Sequence, residues 1–84
     1  MTQTEEIELA NKYDFEPIPD PDRGYGWCKF RRNNQCIWEA VVELSYAGQR
    51  VGWVLADLVD NHYVNHRRFS KLEEAFKDAH EQEI

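Results

Sequence analysis

The run WCKFRRNNQCIWEAVVELSYAGQRVGWVLA, residues 27–56, decides the fold. From Gln35 to Tyr46 the even positions are Cys36, Trp38, Ala40, Val42, Leu44 and Tyr46, and the odd ones are Ile37, Glu39, Val41, Glu43 and Ser45. A period of two marks a strand with one buried face. Its β-branched and aromatic content favours a strand over a helix. The even positions are apolar throughout, so they are assigned to the core.

Two turns then set the neighbours. A two-residue loop at Asn33-Asn34 would pair Arg32 with Gln35 and bring Trp27, Lys29 and Arg31 to the even face. A three-residue loop pairs Arg32 with Cys36 and brings Cys28 and Phe30 inward instead. A one-residue slip moves every side chain to the other face, so burial selects the three-residue loop. On the far side, a turn at Ala47-Gly48 pairs Tyr46 with Gln49, Leu44 with Val51, Val42 with Trp53 and Ala40 with Leu55. Both turns give one apolar inner face.

The outer face then carries Lys29 opposite Glu39, a cross-strand ion pair, and Trp27, Val41 and Val54 side by side. An apolar spot on a wet face is either covered by the N-terminal segment or meets a partner. Trp27, Lys29, Arg31, Val41, Arg50 and Val54 are the expected partner-binding residues, with Trp27 as the anchor and the arginines orienting it.

Eighty-four residues make one small domain with a modest core, and the formal net charge is −6. Residues 1–22 carry seven acids and one base, residues 23–32 four bases and no acid, and residues 70–84 five acids and two bases. The overall sign disfavours nucleic acid and anionic membranes. There is no apolar N-terminal run and no stretch fit to cross a bilayer, so neither a secretory leader nor a membrane partner is expected. In the register chosen above, Cys28 and Cys36 lie roughly 13 Å apart. They read as free buried thiols, which suits a reducing cytoplasm.

Residues 1–24 read as an acidic, proline-rich segment with a short helix capped by Thr4 and striped by Ile7, Ala10 and Asn11 or Tyr13. Pro17, Pro19 and Pro21 keep residues 14–24 out of a central strand. Residues 25–84 read as the α+β domain. Residues 57–61 form a turn, and His62–Phe69 an edge strand interrupted by Arg67 and Arg68. Ser70 and Glu73 make a capping box for a helix whose inner stripe is Leu72, Ala75, Phe76 and Ala79.

Chemistry is sparse. Cys28, Cys36, His62 and His66 are the residue types of a zinc site, but the two thiols are too far apart in this register to share an ion. No nucleophile, base and acid converge, and no glycine loop cradles a phosphate. No catalytic residue, cofactor or metal is expected. The interleaving of Trp27, Lys29, Arg31 and Arg32, extended by Arg50, Arg67 and Arg68, would suit single-stranded nucleic acid stacked on an open sheet, against the net charge.

Lys12-Tyr13-Asp14-Phe15-Glu16-Pro17 resembles the opening strand of SH3 domains. Trp38-Glu39-Ala40 and Gly48-Gln49-Arg50-Val51-Gly52-Trp53-Val54 are similar to their later segments. The resemblance covers about a third of the chain. It implies a small barrel with Tyr13, Phe15 and Trp38 lining a groove for proline-rich peptides. The acidic loop pattern of that family is missing, Leu55-Ala56-Asp57-Leu58 replaces its proline and tyrosine, and the C-terminal helix has no place in its barrel.

The expectation is therefore an α+β fold: a three- to four-stranded antiparallel β-meander with a C-terminal α-helix packed on one face. Its expected function is that of a noncatalytic protein-interaction module, a small acidic cytoplasmic adaptor or inhibitor acting through one sheet face. The alternatives are single-stranded nucleic-acid binding and an SH3-like peptide-binding barrel.

Overall fold

Asn33 is the residue on which the strand registers turn. It takes φ 51°, a left-handed conformation that asparagine tolerates better than most side chains. With it the chain reverses in two residues, and Arg32 pairs with Gln35, Arg31 with Cys36 and Phe30 with Ile37. The fold, obtained as a computed structural model, is described for residues 2–18, 28–46 and 48–81; of residues 42–45 and 49 the backbone alone is described.

The elements in chain order are α1 (Gln3–Lys12), β1 (Glu16–Pro17), β2 (Phe30–Arg32), β3 (Gln35–Ser45), β4 (Gly48–Val59), β5 (His62–Phe69) and α2 (Leu72–Glu81). The strands form one open antiparallel sheet in the order β1-β2-β3-β4-β5. The α+β class, the C-terminal helix and a short helix in the N-terminal segment are as expected, and β1 is added to them.

The expected three-residue loop is not used, and the phase of β3 is reversed near its start. Ile37, an odd position, is fully buried with Phe30 and Leu55. The physical reason is that both faces of β3 are covered here. The helix-side core is Ala10, Phe15, Phe30, Ile37, Leu55, Leu72, Ala75, Phe76 and Ala79. On the opposite face Cys28, Cys36, Val54 and Ala56 are buried as well, and Trp38 packs its ring 5.0 Å from Tyr63. Burial on both sides removes burial as a criterion for the register.

The turn after β3 also differs. Ser45 pairs with Gly48, which leaves Tyr46 at the tip, and the register shifts between Val41 and Glu43. In consequence Val41 faces Val51, and Val54 faces Trp38. The β4–β5 turn is Asp60-Asn61, both at positive φ, the pattern of a tight two-residue hairpin. Asn65, at φ 57°, occupies the irregularity where residues 65 and 66 stand against Ala56 alone.

Phe76 is the hub of the core. Its ring lies 4.9 Å from that of Phe15, 5.4 Å from Phe30 and 5.8 Å from Tyr13. Burying it contributes about 1.5–3 kcal/mol. The expected α2 stripe of Leu72, Ala75, Phe76 and Ala79 is the stripe that is buried. Gln35 Nε2 donates to the Ala79 carbonyl at 3.1 Å, tying the far end of α2 to β3. Arg67 ties it to the edge strand. Its Nε lies 3.2 Å from Asp78 Oδ2 and its Nη2 3.7 Å from Asp57 Oδ1. These are charge contacts rather than aligned hydrogen bonds.

The N-terminal segment belongs to the same core. Thr2, not Thr4, caps α1, in a reciprocal capping box with Glu5. Asp14 at φ 62° ends the helix, and the Phe15 N–H donates to the Ala10 carbonyl at 2.8 Å. That turn drives Phe15 inward, while Ile7, expected on the inner stripe, is exposed. Pro17 then lies in β1, at the edge of the sheet, where a missing donor costs least.

Candidate interaction surface

The β3–β4 hairpin is longer than its neighbours. β3 has 11 residues and β4 has 12, against 3 in β2 and 8 in β5. The β2–β3 ladder reaches Ile37 and the β4–β5 ladder reaches Trp53. The outer half of the hairpin therefore extends as a two-stranded arm. Along its helix-side face the register stacks three rows: Ile37 with Leu55, Glu39 with Trp53, and Val41 with Val51. The first row is core, and Trp53 in the second is half-buried. The third has emerged into solvent, with Val41 39% and Val51 52% exposed. Tyr46 at the tip is fully exposed.

Trp53 is held at the base of the arm. Lys29 Nζ sits 5.2 Å from its ring centroid, and the same ammonium lies 3.6 Å from Glu6 and 4.0 Å from Glu39. A cation over an indole face is attracted by the ring quadrupole, and two carboxylates fix it there. Beside Trp53 opens a cleft of about 530 Å³ lined by Glu6, Lys71, Leu72, Glu74 and Lys77 among others. Its lining carries both signs of charge, with Trp53 and Leu72 as its apolar members.

The expected site residues are dispersed. Trp27 lies outside the described residues. Lys29 faces Glu39 as expected, but on the helix side. Arg31 is in register with Cys36 on the opposite face, its Nε donating to the Asn33 carbonyl at 3.1 Å. Val41 and Arg50 are both on the arm and exposed. Val54 was expected on a wet face and is 4% exposed, because its row lies in the second buried layer. Trp53, Val51 and Tyr46 were not foreseen as surface groups. The excess length of β3 and β4 over the flanking strands is the signal that could have found them.

The alternative constellations also separate. Arg32 turns to the helix side, donating to the Tyr13 carbonyl at 3.0 Å and lying over the Phe15 ring, away from Arg31. The cations of that strand thus do not share one face. Tyr13 and Phe15 pack on Phe76 in the core, while Trp38 lies across the sheet against Tyr63 and His66. The three SH3-type aromatics therefore line no common groove, and the sheet is open rather than a barrel.

Cys28 and Cys36 correct the reading of free thiols. They form a disulfide, with their Cα atoms 5.6 Å apart. β2 begins only at Phe30, and the Lys29 N–H donates to the carbonyl of Ile37, the residue that Phe30 pairs with; this irregularity before β2 turns Cys28 back to the face of Cys36. Neither sulfur is then available as a thiolate ligand or nucleophile in this state.

No protein-family model, curated protein or solved structure matches this chain. No helix among the described residues is long and apolar enough to cross a membrane.

Proposed function

We propose that this chain is a noncatalytic protein-interaction module that acts as an adaptor or inhibitor through the β3–β4 arm and the Trp53 cleft at its base. The observation that carries the reading is the exposed Val41–Val51 pair. It prolongs the core row beyond the reach of the helices and leaves β-branched side chains in water on both strands. Apolar groups grouped in this way, with an aromatic at the base and charges around it, are what a partner surface offers. The Cys28–Cys36 bond removes the ground for a cytoplasmic address, and the proposal carries no compartment.

A photo-reactive side chain placed at Val51 tests it. Cross-linking in extracts of the source cells is expected to yield discrete partner adducts from position 51. Position 59 serves as control, because Val59 is similarly exposed but lies at the opposite hairpin. Equal adducts from both positions would refute the surface.

A further inference from the structure

The β4–β5 ladder ends where Trp53 meets Phe69, and Ser70 then leads toward α2. Beyond that point β4 continues outward, and among the described residues no other strand takes the place of β5. The outer edge of β4 around Val51 is thus a sheet edge with exposed side chains on both of its faces: Val51 on the helix side and Arg50 on the other.

We propose that this edge is a strand-addition site for an extended segment of a partner protein that carries a carboxylate flanked by apolar side chains. The proposal rests on the arm being an interaction surface and specifies how the partner is held. Main-chain hydrogen bonds would give the affinity, and alternate side chains the choice of segment.

The charge on the edge selects the occupant. Antiparallel addition of a second copy along residues 48–52 centres on Arg50 and sets two guanidinium groups opposite one another, which is destabilising. Sliding by two residues puts Val51 on Val51 of the second copy, but leaves three pairs before each strand meets the other's β5. A cation on an edge strand is a known guard against self-pairing, and the same cation favours a carboxylate on an incoming strand. Arg50 is in register with Glu43 of its own hairpin, and a guanidinium carries five N–H donors, enough for more than one partner. On that incoming strand the residues beside the carboxylate fall on the Val51 face, where apolar side chains cover Val51. Lys71, exposed and lining the Trp53 cleft, adds a second cation at the inner end of the edge.

Two blocked heptapeptides of serine, threonine and valine test this. One has aspartate at its centre between two valines, and its twin has lysine there. With isotope-labelled protein, the aspartate peptide is expected to shift the amides of residues 50–52 and slow their exchange, binding roughly fivefold or more tightly than the lysine twin. Arg50→Glu is expected to reverse that order. Shifts mapping elsewhere, equal binding of the two peptides, no reversal, or self-association of the unliganded chain along this edge would each overturn the proposal. If the variant does not fold, the two-peptide comparison on the unaltered chain decides. Partner adducts from position 51 with no peptide effect at residues 50–52 would sink strand addition and leave the interaction surface standing. Equal adducts from positions 51 and 59 would sink the surface reading itself.

Discussion

The base and the tip of the β3–β4 hairpin are built from the same kinds of residue and meet opposite fates. At the base, Ile37 and Leu55 lie under Phe76 and are fully buried. Two rows further out, Val41 and Val51 occupy the equivalent face and are exposed. Alternation along a strand states which side chains share a face. It does not state what covers that face. Cover is set by the lengths of the neighbouring elements, and here those elements stop before the hairpin does.

The sharpest way to break this comparison is at the base. Phe76→Ala is expected to lose about 3–5 kcal/mol, because the three rings packed around it cannot all close over the cavity. Urea titration followed by tryptophan fluorescence measures it. A loss below about 1 kcal/mol would mean that the base is no better packed than the arm.

Next in size is the disulfide. It closes a loop of sequence separation 8, for which the chain-entropy estimate is about 2.5 kcal/mol. The double variant Cys28→Ala, Cys36→Ala is expected to melt roughly 10–20 °C lower in a thermal scan. Reductant should move the unaltered chain in the same direction and leave the variant where it is.

How much of this was legible follows from the same contrast. The α2 stripe was readable because one side of that helix faces water, so Leu72, Ala75, Phe76 and Ala79 stand out against Lys71, Glu74 and Lys77. The edge strand 62–69 was readable from its charged interruptions. β3 was not, since Ile37 is buried on one face and Cys36 on the other, and a strand buried on both sides has no parity to read. The register shift between Val41 and Glu43 then moves the outer half out of step with the inner. The disulfide is hidden because it depends on the irregularity at Lys29, where the chain leaves regular pairing before β2, and Trp53, read as core, sits at the limit of it.

A smaller effect is expected at the tie between the sheet edge and α2. Arg67→Met keeps most of the apolar stem but leaves Asp57 and Asp78 without the cation between them. These groups are about a quarter to a third exposed, so screening limits the loss to roughly 1 kcal/mol. The difference between the two proteins should shrink in about 1 M salt, where the screening length is only about 3 Å. An undiminished difference at high salt would show that the stem, not the charge, joins α2 to β5.

The smallest stability change is expected at the tip, and that is what makes it informative. Val51→Thr removes one methyl group and adds a hydroxyl at a position about half exposed, while threonine keeps the β-branched shape that suits a strand. Stability should move by no more than about 0.5 kcal/mol. A purely structural valine would make that the whole consequence. If the arm is a contact surface, the same change also weakens capture of the partner found by cross-linking, because a hydroxyl then enters an interface from which water is excluded. Equal stability with weakened capture separates the tip from the base. Loss of stability on the scale seen at Phe76 would place Val51 back in the core.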